Sequence, residues 1–183
     1  PSRGVNYLVL ITNACLKLNH FPSRWKHAKV VPIPKHGKDL SKPENYRPIS
    51  LLCSLSKIIE RVILNRINAH IELEKIIPDE QHGFRQKFST TRQLAKLINI
   101  TKESLNSKNS TGLVMMDVEK AFDRVWHDGL LHKMIATNFP PYLVCIVRNF
   151  LNARTFHVAV NRAKSHNFDI PYGVPQGAVL SPT

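Results

Sequence analysis

Cysteine is scarce in this sequence: 183 residues hold only Cys15, Cys53 and Cys145, widely spaced. An odd number so placed supports neither a disulfide framework nor a Cys-x-x-Cys zinc site, and fits a reducing, intracellular setting. Long apolar runs are missing as well. The stretch Tyr7 to Ile11 falls far short of the roughly 20 residues that cross a bilayer, and it lacks the basic start and cleavage site of a signal peptide, so no membrane partner is expected. The nine histidines contain no His-Glu-x-x-His pair, and His127 and His132 are too far apart to share a helix face, so they read as surface or packing residues. His36 to Asp39 resembles the end of a phosphate-binding loop, but Pro32 stands where the earlier glycine is needed and Asp39 where Ser or Thr is needed. Repeats and low-complexity tracts are absent. With no initiating Met and a Ser-Pro-Thr end, the sequence reads as a piece of a longer one.

Acidic residues are also few. Lys and Arg number 26 against 13 Asp and Glu, leaving a formal charge of +13 and a sequence pI near 10.0. Such an imbalance suits a polyanionic partner, nucleic acid first, against the plainer reading of a basic soluble surface. The 43% of apolar residues is ample for a folded core.

Apolar residues at Val5, Leu8, Val9, Ile11, Cys15, Leu16 and Leu18 predict a first amphipathic helix. Ala28 to Lys35 alternates like a strand, but Pro32 and Pro34 place it at an edge or against a loop. His36 to Pro48 is polar and turn-rich, a loop. Leu55, Ile58, Ile59, Val62, Ile63, Ile67 and Ile71 mark the face of a long helix capped by Ser54 or Ser56. Thr90 and Gln93 form a capping box for a helix with Leu94, Leu97, Ile98 and Leu105 inward. Further helices are expected at about 129–137, capped by Asp128, and at 141–151, then strands at 155–160 and 167–170. Mostly helices with interspersed short strands, the chain reads as α+β.

Residues 111–127, TGLVMMDVEKAFDRVWH, raise the chemical question. Leu113 to Met116 has the length of a buried strand, although a short helix also fits, and it stops on Asp117. A carboxylate there costs desolvation energy unless a cation or donors meet it. Two readings stay open: a ligand for a hard cation such as magnesium, or a cap for the following turn. Phe122, taken alone, would be an ordinary core aromatic.

DVEKAFDRVWHDGLLHKM, residues 117–134, closely resembles the first catalytic motif of reverse transcriptases from non-LTR retrotransposons, above all the insect jockey-like elements. FPSRWKHAKVVPIPKHGKD resembles the segment upstream of the fingers, NYRPISLLCSLSKIIERVI and EQHGFRQKFSTTRQL the two fingers motifs, and YGVPQGAVLSPT the Pro-Gln-Gly motif, all in the family's order. The likeness runs over about 19–183.

This resemblance implies the fingers and part of the palm of a right-hand polymerase, with an incomplete ferredoxin-like palm core. Residues 1–24 would be an N-terminal extension and 25–183 the fingers with part of the palm. The reaction would be RNA-directed DNA synthesis, with an RNA template, a DNA primer, deoxynucleoside triphosphates and magnesium, manganese being the substitute. Asp117 would be the catalytic carboxylate and metal ligand of a two-metal site. The backbone of Val118, Glu119, Lys120 and Ala121 would turn under the triphosphate, and Phe122 would lie beneath the sugar and exclude a 2′-hydroxyl. Lys57, Arg85 and, more weakly, Arg47 would reach the triphosphate, while Gln176 and Gly177 would line the nucleotide and template pocket. Taken singly, each of these basic residues could equally be a solvated surface charge. Asp123 is read as structural, bonded to the turn or a basic neighbour. The family's later Tyr-x-Asp-Asp motif is not in these 183 residues, so the segment by itself is expected to be inactive. The rival reading is a degenerate remnant that still binds nucleic acid. Nuclear and cytoplasmic ribonucleoprotein locations follow from the resemblance.

Overall fold

The computed structural model describes residues 3–182, so the expected segments 1–24 and 25–183 include three residues, Pro1, Ser2 and Thr183, that lie outside the described ones. Five α-helices and five strands, with three short 3-10 turns, make up an α+β fold. The helices are α1 (Arg3–Lys17), α2 (Ser54–Leu73), α3 (Thr90–Asn106), α4 (His127–Ala136) and α5 (Pro141–Leu151). The strands are β1 (His27–Pro34), β2 (Tyr46–Leu51), β3 (Thr155–Val160), β4 (Ala163–Lys164) and β5 (Phe168–Asp169).

The sheet runs β2-β1-β3, with β4 and β5 both pairing antiparallel to β3. β1 is antiparallel to β2 and parallel to β3. It is therefore a central strand over His27 to Val30, not the edge its prolines suggest. The two prolines explain the compromise. Beyond Val30 only β2 lies beside it, with Pro32 opposite Pro48, so neither proline is asked to donate to a second neighbour. β2 also corrects the expectation of a loop through Pro48, since Tyr46 to Leu51 is held by that pairing.

The core is mainly helical. Ile59, Ile63 and Ile67 of α2 pack with Leu143, Ile146, Val147 and Phe150 of α5, with Leu131 and Met134 of α4, and with Cys15 and Leu16 at the end of α1. Phe21 is fully buried among them, edge-on to Phe150 with ring centres 5.1 Å apart. α2 is turned slightly from its expected face: Leu55 and Ile58 are exposed, whereas Glu60 and Leu64 are buried. Its cap position is Cys53, without a side-chain bond, and the single Ser56 hydroxyl proton lies within reach of both Cys53 O at 2.7 Å and Glu60 Oε1 at 3.0 Å. α4 starts at His127, leaving Asp128 in its first turn, where a carboxylate suits the helix dipole, instead of at the cap.

Two expectations about 90–118 fail together. α3 forms, capped by Ser89 rather than Thr90, but Leu94, Ile98 and Leu105 are exposed and no residue of the helix is buried. Leu113 to Met116 is no strand; the segment is irregular and exposed, Met116 at 92%. A lone strand leaves its N–H and C=O groups unpaired, and no strand among the described residues runs beside this one. With the strand unformed, α3 has no apolar layer to cover.

A histidine pair joins β1 to β3. His27 Nε2 and His157 Nδ1 are hydrogen-bonded at 2.8 Å, the rings stack, and Thr155 Oγ1 lies 2.8 Å from His27 Nδ1. The His157 pKa lies below its ordinary value, through desolvation first, then through the charges of His27, Lys164 and Lys29. The folded chain thus resists a proton that the unfolded chain accepts near 6.5, so stability is full above that pH and falls as pH drops through the lowered folded value. Urea midpoints should be lower at about pH 5.5 than at about pH 7.5, a span that brackets the ordinary histidine range. His157→Gln should shrink the difference, and an unchanged difference would refute the assignment.

Candidate functional site

The turn after Asp117 is built by Lys120 in the left-handed region at φ 54, followed by a 3-10 turn over Ala121–Arg124. Asp123 N–H donates to Lys120 O at 2.9 Å and closes it. The Phe122 carbonyl accepts from Val174 N–H at 2.7 Å, and the Val125 carbonyl from Gly173 N–H at 2.8 Å. His127 Nε2 donates to Gly173 O at 2.7 Å, which fixes its tautomer and gives it a role beyond packing. Gly173 has φ +80, and a Cβ there would sit 2.8 Å from Asp123 O, so only glycine permits this approach. The Phe122 turn is thereby clamped to the Tyr-Gly-Val-Pro-Gln-Gly segment.

That segment is held from the other side by β2 and α2. Ser50 N–H donates to Gln176 O at 2.8 Å. Gly177 has φ +135, and a Cβ would lie 2.5 Å from Ser50 O, so this position too requires glycine. Val179 N–H donates to Glu60 Oε2 at 2.6 Å. Glu60 is fully buried, satisfied by this bond and by Ser56, and it also faces the charge of buried Arg154. Burial pushes the Arg154 pKa down to about 10 while the Glu60 carboxylate acts to raise it, so the guanidinium stays charged at neutral pH. Glu60 therefore ties the helical core to the backbone just past Gln176. Between the two clamped segments and the sheet lies a cleft of about 320 Å³ lined by Val30, Ser50, Asp123, Phe156, Tyr172 and Gln176 among others.

Of the residues singled out from sequence, Phe122 and Gln176 are brought near each other, through the Val174–Phe122 and Gln176–Asp123 bonds, while Gly177 lies against Ser50 O. Phe122 is half-buried, and Gln176 Nε2 donates to Asp123 Oδ1 at 3.2 Å. Asp123 thus bonds an amide rather than a basic neighbour. Asp117 is exposed at the end of the irregular segment and forms no ion pair or hydrogen bond among the described residues, so the picture of a strand ending on it is not the one observed. Val118, Glu119, Lys120 and Ala121 are exposed too, with Glu119 paired to Arg124 at 3.4 Å, a surface contact of little energetic weight. Lys57 stands exposed in the first turn of α2, and Arg47 exposed on β2 opposite Ile33. Arg85 is engaged in its own loop: it donates to Pro78 O at 3.2 Å, lies 3.6 Å from Asp79 and stacks on Phe88.

Ser50, Glu60, His127 and the Asp123–Gln176 bond had no place in the sequence reading of the site. Glu60 had a legible signal, an acid inside the apolar face Ile59, Ile63, Ile67. The Asp123–Gln176 bond spans 53 positions and leaves none. Among the described residues no group of three His, Cys, Asp or Glu side chains is placed to hold a metal ion. None of the described helices is long and apolar enough to cross a membrane.

Residues 33–183 match the family model described as "Reverse transcriptase (RNA-dependent DNA polymerase)". The chain is 44% identical over 183 residues to the RNA-directed DNA polymerase from mobile element jockey of Drosophila melanogaster, covering 100% of this chain and 20% of that protein. It is 43% identical over 182 residues to the probable RNA-directed DNA polymerase from transposon BS of the same fly, again covering 100% of this chain and 20% of the relative. It is also 27% identical over 164 residues, 89% of this chain and 22% of the relative, to a Pol polyprotein from the type-1 retrotransposable element R2 of Popillia japonica. The chain spans about 20% of the length of the jockey and BS relatives.

Proposed function

Because the chain belongs to the reverse transcriptase family, we propose that it works within an RNA-directed DNA polymerase of a non-LTR retrotransposon, as part of the fingers and palm of a right-hand fold. Residues 1–24 are then an N-terminal extension helix and 25–183 the fingers with part of the palm. The observation that supports this most is the clamp that holds the Phe122 turn against Gly173, Val174 and Gln176, two motif segments about fifty residues apart meeting at one cleft. In this reading an RNA template and a DNA primer lie across the basic surface, and a deoxynucleoside triphosphate sits with its sugar over Phe122. Lys57, Arg47 and Arg85 supply cationic donors to phosphates, and exposed Lys57 and Arg47 are free to turn toward them. Nuclear and cytoplasmic ribonucleoprotein locations go with it.

In this reading two magnesium ions would supply the nucleotidyl-transfer chemistry, and Asp117 is the residue of this chain that would hold them. The residues of this chain do not by themselves fit two such ions. Asp117 is a single carboxylate, and magnesium requires near-octahedral oxygen ligands. The 183-residue chain, incubated with a primed RNA template, deoxynucleotides and magnesium, should therefore give no extension above buffer. Clear extension would show that the site is complete without further carboxylates.

Binding should survive where catalysis does not. If the net charge of +13 serves phosphate contacts, RNA or DNA affinity should be insensitive to sequence and fall steeply with salt. Each neutralised phosphate contributes about −0.9 to the log–log slope on duplex and about −0.7 on single strands. A flat salt response, measured by fluorescence anisotropy, would contradict the assignment of this surface.

A further inference from the structure

We propose that Asp123 is a positioning residue for Gln176, fixing which end of the Gln176 amide faces the bound nucleotide; this rests on the polymerase reading above. A carboxylate can only accept a hydrogen bond, so Asp123 Oδ1, 3.2 Å from Gln176 Nε2, admits the amide nitrogen and rejects the amide oxygen. The nitrogen is thereby committed to Asp123, and Oε1 points away from it, on the cleft-lining side chain, as an acceptor for a donor group of the nucleotide. The backbone on both sides leaves the pair no freedom to drift. Asp123 is held by the turn bond to Lys120 O and by the packing of Gly173 against its own carbonyl. Gln176 is held by Ser50 through its carbonyl. The two side chains are the adjustable element between two fixed backbones. The arrangement also gives Asp123 a reason to be acidic: an Asn there could accept from Gln176 or donate to it, and would leave two orientations of similar energy.

The test uses a polymerase of the relatives' full length that carries this segment, assayed for steady-state extension on a primed RNA template. Gln176→Ala should raise the deoxynucleotide KM about tenfold, the loss expected for one hydrogen bond to a neutral partner, with kcat little changed. Asp123→Ala should raise KM by a similar or smaller factor and add nothing in the Gln176→Ala background, since both act through one amide. Asp123→Asn should recover most of the loss, leaving KM about twofold above wild type because about half of the amides then face the wrong way. Three results would overturn the proposal: multiplying effects of the two Ala substitutions, a fall in kcat at unchanged KM, or an Asp123→Asn enzyme as impaired as Asp123→Ala. Should the wild type itself fail to extend on RNA, the polymerase reading is what falls. The side-chain link is then decided by the Gln176 NH2 resonances of labelled protein, whose hydrogen-bonded proton should shift in Asp123→Ala; unchanged resonances would refute it.

Discussion

Replacing Asp117 with Ala in a polymerase of the relatives' length is expected to lower RNA-templated extension by about 1000-fold or more, beyond the 10–100-fold typical of an outer-shell partner to a metal. Binding of primer and template should stay within about twofold, because one charge among many contributes little to phosphate neutralisation. The folding cost should be small. Asp117 is exposed and makes no hydrogen bond or ion pair among the described residues, and substitutions at such positions usually stay within about 0.5 kcal/mol. A thermal melt and a binding titration on the same preparation therefore separate lost chemistry from lost structure. Loss of binding or folding in parallel with activity would mean that Asp117 is a structural residue.

The second large effect is on sugar choice. Phe122→Val should leave a folded enzyme that accepts ribonucleotides, with the preference for deoxynucleotides falling by about 100-fold, since a steric barrier acts on one sugar and not the other. Its position makes the test clean. The Phe122 backbone is pinned by its own carbonyl, which accepts from Val174 N–H, so shortening the side chain removes bulk without releasing the turn. The ring is half-buried, so its trimming should cost less than the roughly 3–5 kcal/mol of a buried aromatic cut back to Ala. An enzyme that loses both activities together, melts much earlier and keeps its sugar preference would make Phe122 a packing residue and displace the nucleotide from this cleft.

How much of this was legible in the sequence depends on how local the signal is. α5 begins and ends where Pro141 and the apolar period place it, and β3 follows its alternation, because both segments meet partners inside the chain. The apolar stripe of α3 is equally legible, yet nothing covers it. Periodicity reports which face wants burial and is silent on whether a partner layer is present. Leu113 to Met116 fails for the same reason, since strand propensity without a neighbouring strand satisfies no backbone group. In β1 the edge expectation holds at Pro32 and Pro34, where only β2 lies alongside, and fails over His27 to Val30, because a proline forbids a neighbour only at its own position.

At the site, Gly177 is legible as part of its motif, but Ser50 O, which approaches its backbone, is not. The polar links were not readable, because hydrogen bonds such as Asp123 to Gln176 or Glu60 to Val179 N–H join residues whose separation in sequence carries no pattern. The motifs are local and name segments, whereas which segments touch is decided by the fold.

The most direct measurement is extension of a DNA primer on an RNA template by a full-length polymerase carrying this segment, with the four deoxynucleotides and magnesium, and with the products sequenced. The account predicts DNA complementary to the RNA, made by the wild type and absent with Asp117→Ala. No template-dependent product from a folded, nucleic-acid-binding wild type, or the same product in undiminished yield from Asp117→Ala, would contradict it.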